Sequence, residues 1–196
     1  MRSAKSYMSL RTLILAVAAI TILSVPLAAA VQATAGAAGP ALDENQLRLA
    51  KKVRHELVML PWYSVFDNLQ FSLEGDHTVI LSGQTIRPTI KSGAENVVRR
   101  VEGVEKVINN IEVLPLSPFD YRIRREAFRA IYSQPALNRY ALQAVPPIHI
   151  IVKNGHVTLI GVVANPMDKT LAGMAANSVP NVFSVKNDLQ VESRRG

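Results

Sequence analysis

Val101-Glu102-Gly103-Val104-Glu105-Lys106-Val107-Ile108-Asn109-Asn110-Ile111-Glu112-Val113 returns 78 positions later as Val179-Pro180-Asn181-Val182-Phe183-Ser184-Val185-Lys186-Asn187-Asp188-Leu189-Gln190-Val191. In each copy a residue that tolerates left-handed backbone, Gly103 or Asn181, follows the end of an apolar helix pattern. Alternation then marks a strand, with Val107, Asn109, Ile111 and Val113 on one face of the first copy and Val185, Asn187, Leu189 and Val191 on the second. Upstream, at the same offset, Val79-Ile80-Leu81-Ser82-Gly83 recurs as Val157-Thr158-Leu159-Ile160-Gly161. A fixed offset held this long marks one small module used twice, and repeats of this kind decide the fold.

Working outward, each copy gives the same order of elements. Leu49, Val53, Leu57 and Leu60 fall at helical spacing among Lys51, Lys52, Arg54 and Glu56, and Pro61 stops the run. Leu69, Phe71 and Leu73 alternate with Gln70, Ser72 and Glu74, and Gly75-Asp76-His77 turns this strand into Thr78–Ser82. Pro88 suits the first turn of a second helix with an apolar stripe of Ile90, Ala94, Val97, Val98 and Val101. In the second copy Asp120 can cap a helix running to Ser133, whose Ile123, Ala127 and Ile131 match Leu49, Val53 and Leu57 at an offset of 74. Ile148, Ile150 and Val152 form the alternating strand, Asn154-Gly155 a tight turn, and Asn165-Pro166 opens a helix striped by Leu171, Ala172, Ala175, Ala176 and Val179. The expected fold is α+β: two tandem α-β-β-α-β modules, each a three-stranded mixed sheet with two helices on one face. Their bounds are residues 44–115 and 118–192.

Residues 1–30 read as an export signal, with Arg2, Lys5 and Arg11 ahead of an apolar run, Pro26 as a break and Ala28-Ala29-Ala30 as small residues for cleavage. The alternative is a retained anchor, since a span needs about 20 apolar residues. Residues 31–43 are a small-residue tether. The chain has no cysteine, so an exported form has no disulfides and each module depends on its own core. The formal charge of +7 overstates the mature chain: without the three signal cations, 19 basic residues stand against 15 acidic, a balance of +4. Residues 43–115 carry 9 basic and 10 acidic groups and residues 116–196 carry 10 and 5, so an anionic partner is expected at the second half.

The pattern strand–[Asn/Asp]-Gly–x-Val-x-Leu-x-Gly, followed by a helix and Val-x-Gly-Val-x-x-Val-x-Asn-x-[Leu/Ile]-x-Val, resembles the BON domain of bacterial envelope and osmotic-stress proteins. The resemblance covers residues 44–192. It departs from the pattern at Asn181, at a first hairpin one residue longer than the second, at Gly93 inside a helix, and in a longer link from Ala136 to Pro147. It implies a non-catalytic periplasmic protein that contacts membrane phospholipid or other envelope components, chiefly through one domain of the pair. It also implies a part in envelope integrity or osmotic-stress tolerance. A chaperone-like stress scaffold for envelope proteins is the alternative.

The residues offer surfaces rather than a reaction centre, and no catalytic set, cofactor or metal site is expected. Asn109 and Asn187, inward on their strands, should bond to backbone at a neighbouring helix. His77 and His156 fall at hairpin turns, and neither they nor His55 and His149 have metal-ligand spacing. Tyr121, Arg125, Phe128 and Tyr132 follow one helical stripe flanked by Arg122, Arg124 and Arg129. Cations with aromatic rings suit an anionic headgroup surface, and the same face also suits packing between modules. Trp62 and Tyr63, after Pro61, fit either a lipid boundary or a lid on a small core. Candidate partners are an anionic phospholipid surface or an envelope protein. Nucleic acid is excluded by export and by the lack of a groove-reading motif. The sequence leaves the oligomeric state open.

Overall fold

The first helix, α1 (Glu44–Val58), starts at a complete capping box. The Asp43 carboxylate accepts from Gln46 N at 2.7 Å, and the Gln46 side-chain carbonyl accepts from Asp43 N at 3.2 Å. Leu49, Val53 and Leu57 point into the first core, while Leu60, expected on the helix, is buried in the turn that follows it. The computed structural model describes residues 43–75, 77–143 and 145–193, so the expected signal and nearly all of the tether lie outside the described residues. Among the described residues no helix is long and apolar enough to cross a membrane.

β1 (Asn68–Glu74) and β2 (Thr78–Thr85) form an antiparallel hairpin, and α2 (Pro88–Arg99) carries the chain to a parallel partner of β2. That partner is broken into β3 (Lys106–Asn109) and β4 (Glu112–Val113). The second module repeats the plan with α3 (Pro118–Tyr132), β5 (Ile148–Lys153), β6 (His156–Val163), α5 (Pro166–Asn177) and an unbroken β7 (Ser184–Val191). The two modules are α+β, each a mixed sheet ordered with its hairpin's second strand in the middle. Both helices of a module pack on one sheet face, giving one core around Val53, Val79, Leu81, Ile90 and Val98 and another around Ile123, Ile150, Leu159, Ala172 and Leu189. Each such side chain, fully buried, contributes roughly 1–3 kcal/mol.

The repeat is visible in single bonds. Asn109 Nδ2 donates to Lys91 O at 2.9 Å and Asn187 Nδ2 to Lys169 O at 2.7 Å, tying the last strand of each module to its second helix. Gly103 and Asn181 both adopt positive φ, 95° and 66°, as the helix-stop reading requires. The long link is filled by a short helix, α4 (Asn138–Ala141), whose Tyr140 is buried. The Tyr140 hydroxyl accepts from Ala164 N at 2.9 Å and donates to Asp168 at 2.5 Å, fastening the link to the start of α5.

Candidate functional site

The helix with the suggestive residues begins earlier than its sequence indicates. Ser117, not Asp120, is the N-cap of α3, accepting from Asp120 N at 3.1 Å, and Pro118 occupies the first turn. Asp120 lies buried one turn in, where its carboxylate oxygens accept from Asn154 N at 3.0 Å and Gly155 N at 2.8 Å. The acid expected to cap its own helix instead holds the hairpin turn of β5 and β6 against it.

The predicted stripe and its flanking arginines divide in two. Arg124, Phe128 and Tyr132, spaced four apart, turn inward and close the outer edge of β5. The Arg124 guanidinium donates to Val152 O at 2.6 Å and the Tyr132 hydroxyl to Ile148 O at 2.8 Å. Between these, Ile150 N donates to Val65 O of the first module at 2.7 Å. Phe128 stacks on Tyr132 with ring centroids 4.8 Å apart and meets Phe66 at 6.2 Å. Edge strands leave main-chain groups open, and here a helix and a loop occupy them. Arg124 and Tyr132 are about 5% exposed, so they are withdrawn from the proposed contact surface. Burial lowers the Arg124 pKa from its ordinary value, against the pull of Asp120 and Asp67, and burial raises that of Tyr132. A long side chain with a polar tip reads the same in sequence whether it reaches solvent or a strand edge. That is why the sequence grouped these three with the outward residues.

The outward half remains. Tyr121 is 55% exposed, Arg122, Arg125 and Arg129 are exposed, and Arg125 lies over the Tyr121 ring at 5.8 Å. Glu126 is the acid among them, and among the described residues none of these three arginines is in an ion pair. Trp62 is 74% exposed and held at φ 70°, an uncommon backbone state for a residue with a side chain. Arg87 holds it, donating to Trp62 O at 3.2 Å and sitting 5.8 Å from the ring centroid.

Tyr63 points elsewhere, into the joint between the modules, with its ring 5.7 Å from His149. Burial pushes the Tyr63 hydroxyl up to about 12 and lowers the pKa of His149 against the opposing influence of Asp67. Lys153 and Glu112 add an ion pair at 2.6 Å across the joint. Two cavities open there. One, of about 650 Å³, is lined by Leu57, Val58, Phe71, Val145 and Val162. The other, of about 590 Å³, lies between the helix-free sheet faces that carry Gln70, Gln84, Lys153 and Lys186. Among the described residues no group of three or more His, Cys, Asp or Glu is placed to hold a metal.

A family model described as the BON domain matches residues 45–115 and 134–193. The comparison with curated proteins finds no match. A solved chain described as the C-terminal domain of CdsD, the structural protein of the Type III secretion system of Chlamydia trachomatis, is 14% identical and covers 78% of this chain and 100% of its own, with a TM-score of 0.27. A second CdsD structure from the same organism is 13% identical, covering 74% of this chain and 92% of its own, with a TM-score of 0.26. Likenesses this weak carry no argument about this chain.

Proposed function

The chain belongs to the BON-domain family, and on that premise we propose that it is a non-catalytic two-module protein that attaches to anionic phospholipid surfaces of the bacterial envelope. Export to the periplasm by the N-terminal leader is part of this proposal, as is a role in envelope integrity or osmotic-stress tolerance. The family is associated with envelope and phospholipid-binding roles and is generally non-catalytic.

The observation that carries the reading is the outward face of α3. Arg122, Arg125 and Arg129 stand exposed with no ion pair among the described residues, and Tyr121 is beside them. Each cation near an anionic surface contributes about 1 kcal/mol, so three give affinity that falls steeply with salt. An amphipathic ring such as Tyr121, or Trp62 in the first module, adds contact at the headgroup level. Arg124 cannot be part of this contact, because it closes β5.

The test is co-sedimentation of the full chain with vesicles of neutral lipid and of neutral lipid plus about one-third anionic lipid. Changing Arg122, Arg125 and Arg129 together to Glu should abolish the preference for the anionic vesicles and leave the thermal melt nearly unchanged, as surface changes do. Equal binding to both vesicles by the unaltered chain refutes the lipid reading. Suppression of aggregation of an unrelated unfolded client without vesicles would support the scaffold alternative instead.

A further inference from the structure

The strand edges of this fold are treated unequally. The β5 edge is closed by Val65, Arg124 and Tyr132, and the strand beside β2 is interrupted between Asn109 and Glu112. β7 is less protected: it pairs with β6 without a break from Ser184 to Val191, and among the described residues no strand pairs with its other side. An edge eight residues long with no strand paired to it is a template for another strand.

Its main-chain directions are fixed. Glu192 N donates to Val163 O, so even-numbered residues face β6, and Val185, Asn187, Leu189 and Val191 turn their N–H and C=O groups outward. Leu189 N reaches Asn187 Oδ1 at 3.3 Å, a long bond that a better acceptor would displace. Lys186 and Asp188 are exposed on the sheet face away from the helices, 2.7 Å apart. The lysine that would ordinarily deter pairing is neutralised by its neighbour. At the repeat offset the first module has Ile108 and Asn110 in their places, so this charge pair is particular to the second copy.

We propose that two copies of the chain associate by antiparallel pairing of their β7 strands about a two-fold axis through Asn187. In that register Asn187 meets Asn187 and Val185 meets Leu189 as hydrogen-bonded pairs. Lys186 of each copy then lies opposite Asp188 of the other, at the non-hydrogen-bonded positions where side chains come closest. The interface is isologous, matches charge with charge twice, and joins two three-stranded sheets into one of six. It is independent of the lipid contact on α3.

Sedimentation velocity of the full chain at low salt tests this, over a concentration series reaching several hundred micromolar. The unaltered chain should dimerise with concentration. Lys186→Glu and Asp188→Lys should each weaken the dimer by about 10-fold or more, since every cross-strand pair becomes like-charged. Mixed one to one, the two variants should dimerise again, because each then supplies the charge that the other needs. Loss of the charge pair within one chain cannot be repaired by mixing. As a second readout, the cysteine-free chain allows Lys186→Cys and Asp188→Cys to be mixed under mild oxidation, which should give a covalent dimer. A chain that stays monomeric at every concentration, single variants that dimerise as well as the original, or a mixture that does not recover would each overturn the proposal.

Discussion

Gly83 and Gly161 occupy matching places in β2 and β6, with φ of 107° and 134°. A β-carbon at Gly161 would stand 1.8 Å from Pro147 O, and one at Gly83 2.0 Å from Asn68 O. The final glycine of the Val-x-Leu-x-Gly motif is therefore a steric necessity, because a carbonyl oxygen of the facing chain segment fills the place of a side chain. Gly161→Ala should cost on the order of 3–5 kcal/mol, through strain and backbone displacement together. Gly75, at φ 58° with nothing within 4 Å of its would-be side chain, gives the contrast. Gly75→Ala there should cost only about 1–2 kcal/mol, the penalty for left-handed backbone. Urea unfolding of both variants checks this, and a comparable loss at the two positions would show that conformation, not the close carbonyl, controls Gly161.

Elements were legible in the sequence where a period or a turn signal was local. The apolar spacing of α1, the alternation of β1 and β5, the Asn154-Gly155 turn and the Asn165 cap all act within a few residues of themselves. Asn109 and Asn187 also found the helix backbone expected of them, 18 positions away, but the distant partners of the α3 side chains escaped. The start of α3 was misplaced because Asp120 has the residue type of a cap but sends its carboxylate to Asn154 and Gly155, more than 30 positions away. The inward turn of Arg124 and Tyr132 escaped for the same reason, since the β5 edge that they close is invisible from the helix. Of the candidate site, the exposure of Tyr121, Arg122, Arg125, Arg129 and Trp62 agrees with their choice as surface residues, and Phe128 and Tyr63 went to the joint. The Asp120 contact makes α3 and the second hairpin one unit. Asp120→Ala, which leaves the buried N–H of Gly155 and the part-buried N–H of Asn154 without acceptors, should destabilise by about 2–4 kcal/mol. Asp120→Asn, which retains one acceptor, should lose less. Thermal melts of the two variants distinguish this from a capping role, for which Ser117→Ala should be the worse change at about 1 kcal/mol.

At the scale of the whole molecule, two modules of this size are individually thin in core, and the joint makes each depend on the other. It is also where the chain should respond to acid. His149 sits beside Tyr63 in the joint, with Asp67 and Ser64 nearby and its Nδ1 buried without a partner among the described residues. Burial lowers its pKa in the folded chain, so near neutral pH it is held uncharged, and unfolding or opening of the joint lets it take up a proton. The stabilisation is therefore complete above the ordinary histidine value of about 6.5 and is lost as pH falls from there through the lowered folded value. Hydrogen exchange read by mass spectrometry should show residues 63–66 and β5 losing protection on acidification before α2 and α5 do. His149→Gln, which cannot take the proton, should remove that difference over the same pH range. If residues 63–66 lose protection at the same pH in both chains, acid acts on the joint through some other group, and His149 is only a packing residue there.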